Sequence, residues 1–372
     1  TTSDVPASTQ RRQVRAFGGY QPGLDGMRGL AMLAMLGYHG QMPWTDGAFL
    51  GLSQFFTLSG FLITAILLDE HDRNGRIDLR RFWSRRFRRL APASLLGLLA
   101  AVVFGATIAS RAQAERLPEE ILGCLTYVVN WVFISTEQSY TDLFSSPSPV
   151  QHYWSLAIEE QFYLLIPFGI MALFRARASA AAMTMILGGL AVGSAAWMWY
   201  LFDSGADLDR LYYGTDTRLA EVLVGVTLAV VLNQIGTDFS ERTRQWLMVV
   251  GLGAFAVSSW NWVHLSLTDP FTWQGGFLVH SLLSVVVLLA VLGGRGPLVA
   301  FYTSRPLVEV GRLCYGVYIF PWPIFLWLGQ GRTGLDSWPL FALRLAVTMA
   351  VTLVSYSVIE KPIRNGSSIG LS

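Results

Sequence analysis

Charge is scarce in this chain. Asp, Glu, Lys and Arg make up 14% of its 372 residues, against about 25% in a typical soluble domain. Apolar types reach 52% and the mean hydropathy is +0.43, which excludes a soluble globular domain as the main architecture. Cysteine is scarcer still. Only Cys124 and Cys314 occur, both inside apolar runs and without metal-ligand neighbours. A disulfide framework and a metal site are therefore not expected. Several motifs are missing too. There is no GxxxxGK[ST] phosphate loop, no GxGxxG after a strand, no HExxH and no GxSxG. ATP-driven pumping, zinc proteolysis and serine-hydrolase chemistry lose their sequence support. The net charge of +2 says little by itself, and no nucleic-acid partner is expected.

What is present is a series of apolar runs near 20 residues, the length that crosses a bilayer as a helix. Ten spans are expected, at roughly 24–43, 47–68, 90–110, 152–174, 180–202, 215–235, 245–263, 276–294, 307–328 and 339–360. One more run, 118–134, is ambiguous, and charge arbitrates. Short Arg-rich loops stay cytoplasmic. If 118–134 does not cross, Arg11, Arg12, Arg15, the arginines from 73 to 89, Arg175, Arg177, Arg242, Arg244, Arg295, Arg305, Lys361 and Arg364 share the cytoplasmic side. If it crosses, Arg175 and Arg177 move outside. The run is therefore read as re-entrant or interfacial. The expected fold class is an all-α polytopic membrane protein of about ten transmembrane helices with both termini cytoplasmic. A single domain at 21–365 lies between a flexible tail at 1–20 and a short one at 366–372.

Titratable groups inside such spans are costly, so they nominate sites. The first span carries Arg28 and His39. Eleven residues advance a helix by about 1100°, roughly 20° past three turns, and rise about 16 Å. The two side chains share one face at different depths. Asp25 is within helical reach of Arg28. Glu159 and Glu160 lie about 8–9 Å along the fourth span from Trp154, a depth resembling that of His39. A carboxylate beside an imidazole fixes its tautomer and raises its basicity. Adjacent residues point about 100° apart, so at most one of the two glutamates faces His39.

The run RRFWSRRFRRLAP holds six arginines, including Arg81, Arg85, Arg86, Arg88 and Arg89. It reads equally as a phosphate site and as a lipid-headgroup anchor. Asp216, Arg218 and Glu221 crowd the outer end of the sixth span, placed either to bind sugar hydroxyls or to pair with one another. Trp44, Trp154, Trp197, Trp199, Trp260, Trp262, Trp273 and Trp338 fall near expected outer boundaries, as an interfacial belt does. A few of them, Trp154 among them, are candidates for stacking on a sugar.

Taken in order, LDGMRGLA with His39, FFTLSGFLIT at 55–64, FWSRRFRRLAP at 82–92, HYWSLAIEEQFYL at 152–164, YYGTDTRLAEVLVG at 212–225 and SYSVIEKPIR at 355–364 resemble the acyltransferase-3 family of integral-membrane O-acyltransferases. The resemblance implies transfer of an acyl group, acetyl by default, from cytosolic acyl-CoA to a hydroxyl of an extracytoplasmic carbohydrate or glycolipid. The implied setting is a bacterial cytoplasmic membrane, with acyl-CoA as substrate and no bound cofactor. It implies that Arg28 and His39 are essential, that Arg85, Arg86, Arg88 and Arg89 lie near the CoA moiety, and that the paired acids are Glu159 and Glu160. One departure stands out: CYGVYIFPWP has Pro321 where relatives often carry a histidine. Many relatives also continue into an extracytoplasmic esterase-like domain, which is not expected beyond Arg364.

The expected mechanism seats the donor phosphates on Arg81–Arg89 and passes the pantetheine arm by Arg28. His39, oriented by Glu159 or Glu160, then acts as general base. Ser59 is a candidate acyl carrier if transfer takes two steps, and Asp216, Arg218 and Trp154 are candidates for the acceptor. A different class, a proton-coupled transporter using Arg28, His39 and Glu160, would show inverted repeats and broken helix pairs. The sequence displays no convincing repeat.

Overall fold

A computed structural model describes residues 19–136 and 147–365. They form helices joined by turns, with no strand among them. Apart from Gly19 and Tyr20, the expected tails lie outside the described residues. The helices are α1 (Pro22–His39), α2 (Gly51–Asn74), α3 (Leu79–Thr107), α4 (Arg111–Leu125), α5 (Val129–Ser135), α6 (Tyr153–Arg175), α7 (Ala180–Asp203), α8 (Leu208–Tyr213) and α9 (Thr215–Ile235). They continue with α10 (Glu241–His264), α11 (Phe277–Leu292), α12 (Pro297–Tyr302), α13 (Arg305–Arg312), α14 (Cys314–Ile319), α15 (Pro321–Trp327), α16 (Gln330–Thr333), α17 (Ser337–Ser355) and α18 (Lys361–Asn365).

Eight stretches are long and apolar enough to cross a bilayer: Ala48–Asn74, Leu79–Thr107, Tyr153–Arg175, Ala180–Asp203, Leu208–Ile235, Glu241–His264, Thr272–Leu292 and Ser337–Ile363. The ten expected spans therefore include two that differ from the rest. The first, α1, is an unbroken helix of 18 residues but carries Asp25 and Arg28. The ninth, 307–328, is divided among α13, α14 and α15. Pro321 and Pro323 lack backbone donors and favour the start of a helix over its interior. The ambiguous run 118–134 also breaks. It ends α4, passes through Tyr127 at φ +56° and enters the seven-residue α5. Neither piece reaches the roughly 30 Å of a hydrocarbon core at 1.5 Å per residue.

The arginine run is helical rather than a loop. Asp78 caps α3 by accepting from the Arg81 backbone N–H at 3.0 Å, so the helix starts eleven residues before the expected third span. Its basic face then follows helical periodicity. Phe82, Arg85, Arg86 and Arg89 line an inner cavity, with Arg85 and Arg89 keeping exposed surface, while Arg81 and Arg88 are exposed and do not line it.

Close helix crossings hold the centre. Thr57 on α2 donates its hydroxyl to the Glu221 carbonyl of α9 at 3.1 Å. A Cβ on Gly225 would run into the Thr57 carbonyl oxygen and stand 2.8 Å from the Phe61 nitrogen. On α1, a Cβ at Gly29 would strike the Leu307 carbonyl of α13, and one on Gly311 of α13 would strike the Asp25 carbonyl. Small residues allow such backbone approach where lipid offers no hydrophobic drive between helices. Gly225→Ala is expected to cost about 1–3 kcal/mol through overpacking, read as a lower melting temperature of the purified protein. An unchanged melting temperature would mean the crossing can spread freely.

Candidate active site

Helix α1 presents Arg28, Met32, Met35 and His39 to a chain of internal spaces. The spacing of four, three and four residues keeps them on one face, as expected for Arg28 and His39. At the Arg28 end lies a cavity of about 310 Å³. Arg28, Arg85, Arg86 and Arg89 line it together with Ser59, Glu159, Tyr163 and Cys314. Its opposite wall is apolar, with Leu52, Phe55, Leu58, Leu62 and Ile63 from α2.

The charges around this cavity are ordered. Arg28 pairs with Asp25 at 3.3 Å. The Tyr20 hydroxyl donates to Asp25 at 2.7 Å and accepts from Arg312 Nε at 3.1 Å. Arg86 binds Glu160 at 3.1 Å, and its guanidinium lies over the Tyr163 ring. Arg85 faces Glu70 at 3.9 Å. Ser59 and Tyr163 share a hydroxyl hydrogen bond. Of the expected cationic cluster, Arg85, Arg86 and Arg89 meet at the cavity. Arg81 and Arg88 do not line it, and Arg88 Nε donates to its own helix at Ser84 O, 3.3 Å. The walls thus combine four guanidinium groups, three of them paired with carboxylates, with an apolar lining.

At the other end of α1 is a void of about 10 Å³ between His39, His152, Tyr318, Pro321 and Trp322. Met32 and Tyr318 line both spaces and stand between them. The His39 ring meets Trp322 edge to face at 4.9 Å. The indole N–H of Trp322 is anchored on the Ser148 carbonyl at 2.8 Å.

Among the described residues no carboxylate pairs with His39, and its Nδ1 makes no hydrogen bond. The expected orientation by Glu159 or Glu160 is corrected accordingly: Glu160 is engaged by Arg86 and Glu159 lines the Arg28 cavity. The difference is one of depth. Trp154 does not mark a membrane boundary: it is 2% exposed and packs on Tyr212 at 4.7 Å. Helix α6 runs antiparallel to α1, so the residue level with His39 is His152, two turns before Glu159. Seven residues turn about 700°, which keeps His152 and Glu159 on one face. HYWSLAIEE carries that seven-residue spacing.

The residues expected at the acceptor are placed as follows. Trp154 is core. Arg218 and Glu221 are both 0% exposed and pair at 2.8 Å, with the guanidinium 3.9 Å from the Phe277 ring centre. Asp216 is held by Arg210 at 2.9 and 2.6 Å and by Trp197 Nε1 at 2.7 Å. Of the expected tryptophan belt, Trp44, Trp197, Trp199, Trp260 and Trp338 are exposed, whereas Trp154, Trp262 and Trp273 are buried. Among the described residues no group of three or more His, Cys, Asp or Glu is arranged to hold a metal ion.

The candidate site is thus an arginine-lined cavity at one end of α1 and a half-buried imidazole at the other, within a bundle of apolar helices. Residues 21–360 match the family described as Acyltransferase domain, and the chain belongs to that acyltransferase-3 family. It is 33% identical to peptidoglycan O-acetyltransferase OatA of Listeria monocytogenes over 96% of this chain and 58% of that protein. It is 35% identical to the putative peptidoglycan O-acetyltransferase YrhL of Bacillus subtilis over 93% of this chain and 55% of that one. For O-acetyltransferase OatA of Staphylococcus aureus the identity is 32%, over 93% and 57%. The chain thus spans a little over half the length of these relatives. No solved structure matches it.

Proposed function

We propose that this chain transfers an acetyl group from acetyl-CoA to a hydroxyl of cell-wall carbohydrate, peptidoglycan in the first instance, across a bacterial cytoplasmic membrane. The observation that carries the reading is the single face of α1, which joins a cavity walled by Arg28, Arg85, Arg86 and Arg89 to the imidazole of His39. The donor phosphates sit on the arginines, which remain charged at any physiological pH and offer forked donors. The pantetheine arm lies along the apolar wall, with its thioester directed past Met32 and Tyr318. His39 takes the acceptor proton, the hydroxyl oxygen attacks the thioester carbonyl, and CoA leaves on the side of its arginines. In this reading about ten helices cross the bilayer and both termini are cytoplasmic. The acetyl group and the carbohydrate are suggested by the names of the relatives.

The test is labelled acetyl-CoA supplied to the purified chain in nanodiscs with a muramyl disaccharide. Ester-linked label on the sugar is expected. Absence of both acetyl-CoA consumption and labelled sugar would overturn the reading. Arg85→Gln with Arg89→Gln is expected to raise the acetyl-CoA KM by about 10- to 100-fold, since hydrogen bonds to charged groups contribute roughly 1.5–3 kcal/mol. The rise should shrink with added salt. An unchanged KM would assign the arginines to lipid headgroups instead.

A further inference from the structure

From the geometry of the small void we infer that His152 is a positioning residue that receives, through His39, the proton taken from the acceptor hydroxyl. The inference rests on the reading of His39 as general base. His152 is 4% exposed, and neither of its ring nitrogens makes a hydrogen bond. His39 Nδ1 is likewise without a hydrogen bond among the described residues, and both rings border the same void of about 10 Å³. They lie close enough to interact electrostatically. A buried polar group without a partner bears its full desolvation cost, which an aliphatic side chain in this place would avoid. The void is about the size of one water, and such a water has the two histidines and the Tyr318 hydroxyl as partners.

The surroundings fix both rings to one scaffold. The Tyr318 hydroxyl donates to the His152 carbonyl at 2.9 Å and accepts from the Ser155 hydroxyl. The turn leading into His152 is held by Ser148, whose hydroxyl donates to buried Glu120 at 2.5 Å. The Ser148 carbonyl takes the indole N–H of Trp322, the ring that rests on His39. The titratable groups facing His152 are His39 from α1 and Tyr318 from α14, with Tyr153 beside it at 4.8 Å. The Ile319 backbone lies beside the His152 ring as well. Among the described residues no carboxylate or arginine forms an ion pair with either ring, and His152 is the imidazole that shares the void with His39.

The step balances. The acceptor O–H bond breaks and its proton goes to the free nitrogen of His39. A proton leaves His39 Nδ1 through the water for His152. The oxygen lone pair forms the ester C–O bond as the C–S bond breaks. The thiolate then takes the proton back along the same path, and both imidazoles end neutral with CoA as its thiol.

The experiment compares His152→Asn, His152→Phe and His39→Ala in the full chain in nanodiscs, with acetyl-CoA and a muramyl disaccharide. For His152→Asn, kcat is expected to fall by about 10- to 100-fold, within the range of general acid–base effects. The acetyl-CoA KM should be unchanged, and one limb of the rate–pH profile should disappear. A wild-type kcat and pH profile in His152→Asn, with His39→Ala inactive, would overturn the inference and leave the base assignment standing. Near-wild-type turnover in His39→Ala would overturn that assignment itself. A drop in kcat with an unaltered pH profile and a lower melting temperature would make His152 purely structural and also end the inference. Imidazole nitrogen resonances give a check independent of turnover. The titration of His39 should change in His152→Asn, and an identical titration would refute the coupling.

Discussion

Replacing His39 with alanine is expected to remove nearly all acetyl transfer while the helix bundle stays folded. The expected loss is about 10²- to 10⁴-fold in kcat, the contribution of a positioned general base. The fold should survive because the imidazole is half-buried at the end of α1 and its Nδ1 has no hydrogen bond to lose. Its main contact is the edge-to-face meeting with Trp322. The measurement is turnover of acetyl-CoA with a muramyl disaccharide, beside a melting curve. His39→Gln, which keeps a polar side chain but cannot take the proton, should fail to the same extent. Near-wild-type transfer by either variant would dismiss His39 as the base.

The largest loss of stability is expected from Arg218→Ala. Arg218 and Glu221 are each 0% exposed and pair at 2.8 Å. The guanidinium also donates from NH2 to the second carboxylate oxygen at 3.1 Å, among the rings of Phe56, Trp154, Tyr212 and Phe277. Removing one partner strands a buried carboxylate, which costs about 3–5 kcal/mol. Folded yield and melting temperature should fall sharply. Replacing both members with apolar residues, Arg218→Met with Glu221→Leu, should recover most of the stability, because no lone charge remains. The double variant should also recover transfer. If it folds and stays inactive, the pair has a role in the chemistry beyond holding α9 in the core.

These two expectations separate residues that look alike in one dimension. Arg28 and Arg218 are both intramembrane arginines three residues from an acid. Arg28 opens onto the cavity, whereas Arg218 is sealed among aromatic rings. Nothing in LDGMR or DTRLAE announces that difference, since it depends on what the neighbouring helices bring. The two spaces along α1 are likewise separated by Met32 and Tyr318, residues that no charge pattern singles out.

The apolar run lengths, the scarcity of charge and the ordered motifs determined by themselves that this is a helical membrane chain of the acyltransferase-3 family. They also determined that Arg28 and His39 share a face, because the turn of an α-helix sets angles within one element from residue numbers alone. Which of six arginines line the cavity followed once the run proved helical. The depth at which α6 docks against α1 was decided only by the tertiary structure. That depth puts His152 rather than a glutamate level with His39 and sends Glu160 to Arg86. It is set by how Trp154 and its aromatic neighbours pack, a contact between distant segments that spacing along a single helix does not encode.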